Sequence, residues 1–186
     1  MRRATLLLLL ATPALAAAQS PALMNYACGP ANRMFATLSA TSLSTDTSAG
    51  FDLNTLPEFT GKSCTSDKPF FFSAPVPEGS YRVTVVLGGD QPSTTTVWSE
   101  ARRLSLEKIA TKANAFTTLT FNVNVRVPQI ANQPAGAPTQ VKLKPREIGN
   151  LDWDTKLTLE FNGDHPSLRS ISIEPIPTPE IGRAHV

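Results

Sequence analysis

Histidine and cysteine are almost missing from this chain, with two of each in 186 residues. The shortage of histidine narrows the chemistry at once. A serine hydrolase needs an imidazole to take the nucleophile's proton and a third group to orient it. His185 lies next to the last residue, and His165 sits in the turn-like string Asn162-Gly163-Asp164-His165-Pro166. A histidine there reads as a turn residue before it reads as a base, and no Gly-x-Ser-x-Gly string occurs. Two cysteines and one histidine also fall short of the four ligands that zinc takes, so neither a metal nor another cofactor is expected.

An excess of either charge is missing too. The chain has 17 Lys+Arg and 15 Asp+Glu; setting aside Arg2, Arg3 and Arg183 on one side and Glu180 on the other leaves 14 of each. That balance offers no basic face for nucleic acid. Long apolar runs are absent after the first 18 residues, so nothing further along can span a bilayer.

What is present begins with MRRATLLLLLATPALAAAQ, two arginines followed by an apolar run and small residues. That is the pattern of a secretory signal over residues 1–18, implying a secreted or periplasmic protein with no membrane segment after cleavage. Cys28 and Cys64 then make an even pair in an oxidising compartment and are expected to bridge. Closing that loop stabilises by roughly 3 to 4 kcal/mol on the chain-entropy account.

Period-two alternation dominates the rest. Tyr81, Val83, Val85 and Leu87 share one side of YRVTVVL; Leu119, Phe121, Val123 and Val125 do so in LTFNVNV; Leu157, Leu159 and Phe161, then Ile171 and Ile173, repeat the pattern. Asn162-Gly163-Asp164 between two such runs is a hairpin cue. RRLSLEKIA has room for a short helical turn, and PQIANQPAGAPT reads as a long loop. Many strands with 16 prolines in the breaks predict one all-β sandwich domain over residues 19–176.

Three places could carry chemistry. In TTTVWSEARRLSLE, Trp98, Glu100, Arg102 and Arg103 put an indole, an acid and two guanidinium forks in one short segment. Aromatic faces pack on sugar C–H surfaces and arginine forks grip carboxylates, so this is the candidate glycan contact. LDWD is expected as a strand with Asp152 and Asp154 outward and Trp153 in the core. In Phe70-Phe71-Phe72, alternation sends Phe71 to the face opposite its neighbours, where it needs cover from a loop or a partner.

The strings KPFFFSAPVPEGSYRVTVVLG, TTTVWSEARRLSLE, FNVNVR, VKLKPREIGNLDWDTKLTLEFNG and ISIEPI, in that order over roughly residues 50–176, resemble the N-terminal region of bacterial rhamnogalacturonan acetylesterase-like proteins. These are secreted SGNH-type esterases of pectin degradation. The resemblance implies a galactose-binding-like β-sandwich of jelly-roll type placed ahead of a catalytic domain. The family's opening Asp-Phe-Gly stretch is replaced here by Tyr26-Ala27-Cys28-Gly29, and its Gly-Asp-Ser nucleophile block and Asp-x-x-His pair do not occur.

The chain ends in EIGRAHV, which fits the codons GAG ATC GGA AGA GCA CAC GTC and is similar, after the first base, to a sequencing-library adapter. Residues 177–186 are therefore expected to be a cut linker and an adapter-derived tail. On this reading the fragment is an inactive accessory sandwich whose partner is the missing SGNH esterase domain. Phe71 is expected at that contact; the alternative is a binding module for pectic oligosaccharide centred on Trp98.

Overall fold

Alternation becomes burial along the central strands. Tyr81, Val83, Val85 and Leu87 are at most 1% exposed, while Arg82 between them is exposed. The computed structural model describes residues 22–29, 33–131 and 133–177. The expected signal over 1–18 and the tail beyond Pro177 lie outside the described residues.

The strands are β1 (Met24–Ala27), β2 (Ala36–Thr37), β3 (Gly50–Asp52), β4 (Glu58–Phe59), β5 (Cys64–Thr65), β6 (Phe70–Pro75), β7 (Gly79–Leu87), β8 (Ser93–Ser99), β9 (Arg103–Thr111), β10 (Thr117–Val125), β11 (Lys156–Asp164) and β12 (Ser167–Ile176). One sheet has the order β10-β7-β12-β1-β2, with β5 joining β12 and β4 joining β5; the other runs β3-β6-β11-β8-β9. The protein is an all-β, two-layer sandwich. Among the described residues the regular structure besides strand is one 3-10 turn, Pro145–Glu147, and no helix is long and apolar enough to cross a membrane.

The inner faces meet in one core. Phe51, Phe70, Phe72, Val97, Leu159 and Phe161 from the five-stranded sheet face Tyr81, Val83, Val85, Val123, Ile171 and Ile173 from the other. Phe70 and Phe161 stack with centroids 5.0 Å apart, and Tyr26 of β1 reaches Phe72 across the layers at 5.2 Å. Buried Tyr81 keeps its hydroxyl satisfied by donating to the Pro77 carbonyl at 2.7 Å.

Cys28 and Cys64 are bridged, with Cα atoms 5.3 Å apart. Cys64 pairs with Leu168 of β12, and the Cys28 N–H donates to the Arg169 carbonyl one residue on. The bridge thus ties the residue just after β1 to the first residue of β5, two short strands that both pair with β12.

Three local expectations change. From Arg103 onward RRLSLEKIA is strand β9, because pairing with β8 satisfies a backbone that a short helix would leave open at both ends. LDWD lies in the turn before β11, and Trp153 is partly exposed with the Arg126 guanidinium 5.0 Å over its ring. Asn162-Gly163-Asp164 does not close a hairpin. Gly163 and Asp164 still pair with Thr95 and Thr94 of β8, and the chain leaves the sheet only at His165-Pro166, where His165 takes φ +47°. β12 then enters the opposite sheet. Gly163 is needed there, since its φ is +130° and a Cβ would run into the Thr94 carbonyl.

Candidate functional site: the outer face of the five-stranded sheet

Inward residues of β6, β8 and β11 are settled by the core, so their neighbours must point outward. Phe71 and Trp98 both stand opposite Glu160 of β11, one on each side. Asp52 of β3 extends this row beyond Phe71, and Leu104 of β9 extends it beyond Trp98. The order across five strands is therefore Asp52, Phe71, Glu160, Trp98, Leu104. Phe71 and Trp98 are partly exposed, and Leu104 is 46% exposed.

Between β8 and β9 the ladder slips twice, and Lys108 sits at φ +49° with its N–H bonded to Thr96 Oγ1 at 3.1 Å. Such irregularities bend a strand and re-aim its side chains. The result is an open groove of about 300 Å³ lined by Thr96, Trp98, Leu104, Glu107, Lys108 and Asn162, with Gly163 at one side. That volume is at the small end of ligand sites, which run from roughly 300 to 1,000 Å³. Glu160 Oε1 accepts from Asn162 Nδ2 at 3.0 Å, and Asn162 Oδ1 accepts from the Gly163 N–H at 2.7 Å. The indole and Leu104 supply apolar surface, and the amide, carboxylates and ammonium supply hydrogen bonds around it.

The four residues of the TTTVWSEARRLSLE segment do not gather in one place. Arg102 is exposed in the turn between β8 and β9. Arg103 stands opposite Ser99 rather than Trp98 in register, and its Nη1 donates to the Asn124 carbonyl of β10 in the other sheet at 3.0 Å. Glu100 is 2% exposed; its Oε1 accepts from the Thr158 N–H at 3.0 Å. Burial pushes the Glu100 carboxyl up to about 8 against the pull of that hydrogen bond, with Asp154 and Asp152 pushing the same way and Arg103 opposing them. Asp154 is also raised, mainly by burial.

Nearness in sequence points to the arginines as partners for the indole. Alternation and the turn send them elsewhere, and Leu104, Glu107, Lys108, Glu160 and Asn162 take their place. The signal for Glu160 and Asn162 is in KLTLEFNG, whose polar parity marks them as outward; which strand they face is not readable there.

His165 Nδ1 lies 2.7 Å from Asp67 Oδ1, but both side chains are more than half exposed. The cavity beside them, with Ser63, Ser93 and Ser167 in its wall, holds only about 20 Å³. That is room for a water molecule, far too little for an ester group. Among the described residues no three His, Cys, Asp or Glu side chains are placed to hold a metal ion.

No family model matches the sequence, and no curated protein matches it. Solved structures do. Protein YxiM of Bacillus subtilis superposes with a TM-score of 0.51 at 14% identity, covering 84% of this chain and 40% of that one. A chain in the complex of the plant peptide RALF23 with FER and LLG2 gives 0.50 at 14% identity, covering 89% and 43%. What this chain shares with these structures is the fold, an all-β two-layer sandwich. A Podospora anserina GH26-CBM35 β-(1,4)-mannanase gives 0.41 at 13% identity, covering 85% and 29%. The sandwich spans about two fifths of the length of the first two chains it matches.

Proposed function

We propose that this sandwich is a non-catalytic accessory module of a larger secreted carbohydrate-active protein, and that it binds glycan on the outer face of its five-stranded sheet. The observation that carries the reading is the groove at Trp98, where an indole and Leu104 stand beside Asn162, Glu107 and Lys108. A sugar ring offers an apolar C–H face and a rim of hydroxyls, and this groove presents the complement of both. Affinity near 1 mM takes only about 4 kcal/mol of net binding free energy, within reach of one stacked indole and a few hydrogen bonds. The resemblance to rhamnogalacturonan acetylesterase-like proteins adds a parent enzyme with an SGNH domain that acts on pectic glycan; the ligand of this module is set by its own groove and need not be the backbone that the parent deacetylates. A bridged Cys28–Cys64 pair supports an oxidising compartment, secreted or periplasmic.

The test is a titration with plant cell-wall oligosaccharides followed by tryptophan fluorescence. Saturable quenching is expected in the native protein and none in Trp98→Ala, with Trp153 remaining as the reporter of an intact fold. Equal binding by Trp98→Ala would remove the groove from the reading.

A second reading, a scaffold for an adjoining domain, draws on Phe71 and on Leu53 and Leu56, 48% and 49% exposed just beyond β3. Phe71 is flanked in register by Asp52 and Glu160. Carboxylates bracketing the ring suit a polar ligand better than an apolar interface core, where charge is depleted.

A further inference from the structure

Resting on the glycan reading, we propose that the ligand is an uncharged oligosaccharide of at least two rings, lying across the strands from Leu104 toward Phe71, and that uronate-bearing chains are disfavoured. Length follows from the spacing of the aromatic rings. Trp98 and Phe71 flank Glu160 on opposite sides, two strand spacings apart, which is roughly 10 Å at about 4.8 Å per strand. One pyranose cannot cover both. A chain running perpendicular to the strands meets Leu104 and Trp98 first, then Glu160, then Phe71.

The preference for neutral sugar follows from the charges on that path. Glu107 borders the groove, Glu160 stands between the two aromatic rings, and Asp52 closes the row. Of the cations on this face, Lys108 lines the groove, while Lys156 is drawn to Asp46 and Asp52 at 3.7 and 4.0 Å. Two guanidinium forks are engaged away from the row, Arg103 on the Asn124 carbonyl and Arg126 over Trp153, while exposed Arg102 in the β8–β9 turn is not part of the groove lining. A uronate seated on the ring faces would bring its charge against Glu160, a like-charge approach that costs affinity. Hydroxyls instead donate to a carboxylate in charge-assisted hydrogen bonds, stronger than neutral ones. Asn162, bonded to Glu160 Oε1, holds that carboxylate in place for them.

The experiment is calorimetric titration of the whole chain with neutral oligomers of galactose, mannose and xylose and with galacturonate oligomers of matched length. At least one neutral series is expected to bind, with affinity rising about tenfold, equal to about 1.4 kcal/mol, from dimer to tetramer. Galacturonate oligomers are expected to bind at least about tenfold more weakly, and Glu160→Gln should narrow that gap. Phe71→Leu keeps apolar bulk but removes the ring, and should abolish the gain with length. Tighter binding of galacturonate that weakens with added salt would overturn the inference and leave the glycan reading standing. An unchanged length dependence in Phe71→Leu would overturn the two-ring path. Absence of binding by every oligomer, with the fold intact by circular dichroism, would overturn both.

Discussion

Across the outer face of the seven-stranded sheet run Arg82 and Thr84 of β7, Thr120 and Asn122 of β10, and Ser172 and Glu174 of β12. Across the corresponding face of the five-stranded sheet run Phe71, Trp98 and Leu104 among carboxylates and amides. The first face satisfies itself: Arg82 pairs with Glu174 at 3.2 Å, and the Thr84 and Thr120 hydroxyls bond at 3.0 Å. A two-layer sandwich needs one apolar face per sheet, turned inward. Aromatic rings in the middle of a second face are therefore not explained by folding; the exposed ring beside the other sheet, Phe116, lies just before edge strand β10, under the Arg169 guanidinium.

The comparison breaks if the rings turn out to be core residues in disguise. Phe161, fully buried in β11, sets the scale; Phe161→Ala is expected to cost about 3 to 5 kcal/mol in chemical denaturation. Trp98→Ala should cost less than half of that. Equal losses would make Trp98 a structural residue and the two outer faces alike.

Next in size is the disulfide. Replacing Cys28 and Cys64 together by serine should lower stability by roughly 3 to 4 kcal/mol, measured as a shift in the denaturation midpoint. Because the bridge joins strands beside β12 in the seven-stranded sheet, glycan affinity in the variant should be unchanged wherever it remains folded. A loss of affinity in the folded variant would mean that the two layers are coupled.

Glu100 sharpens the contrast through pH. Its folded carboxyl is raised from 4.5 to about 8, so the fold favours the protonated form. The stabilisation is complete below pH 4.5 and is lost as pH rises through about 8. Glu100→Gln, whose amide oxygen can still accept from the Thr158 N–H, should flatten that fall and melt higher than the native protein at pH 8.5. An identical pH profile in both would show that Glu100 is not the group responsible. Smallest of all, Arg82→Ala on the polar face should cost no more than about 1 kcal/mol, as exposed ion pairs do, and should leave binding untouched.

The inner faces are legible in the sequence because period-two alternation is local. Val83, Leu159 and Ile171 can be assigned to the core without knowing which strand lies beside them. Burial depth is less legible: Phe121 follows the same alternation as Val123 on the same strand but is only partly buried. Phe121→Ala should therefore fall short of Phe161→Ala in the same denaturation assay. The disulfide is readable from cysteine number and compartment. The groove is not, because it is assembled from β8, β9 and β11, and cross-strand register is a long-range property. Trp98 stands out in the sequence, but its true neighbours depend on two ladder slips that leave no mark in TTTVWSEARRLSLE.

The corner at His165-Pro166 bears on how the chain folds. β11 is the middle strand of one sheet and β12 lies inside the other, and only two residues connect them. Neither sheet can acquire its inner strand without bringing the other sheet's into position. β6 and β8 must find β11 across a gap of more than fifty residues, while β1 must find β12 from the far end of the domain. Contacts so distant in sequence belong to chains that fold in milliseconds to seconds rather than microseconds. With the two layers joined at their middles, their formation should register as one cooperative kinetic phase.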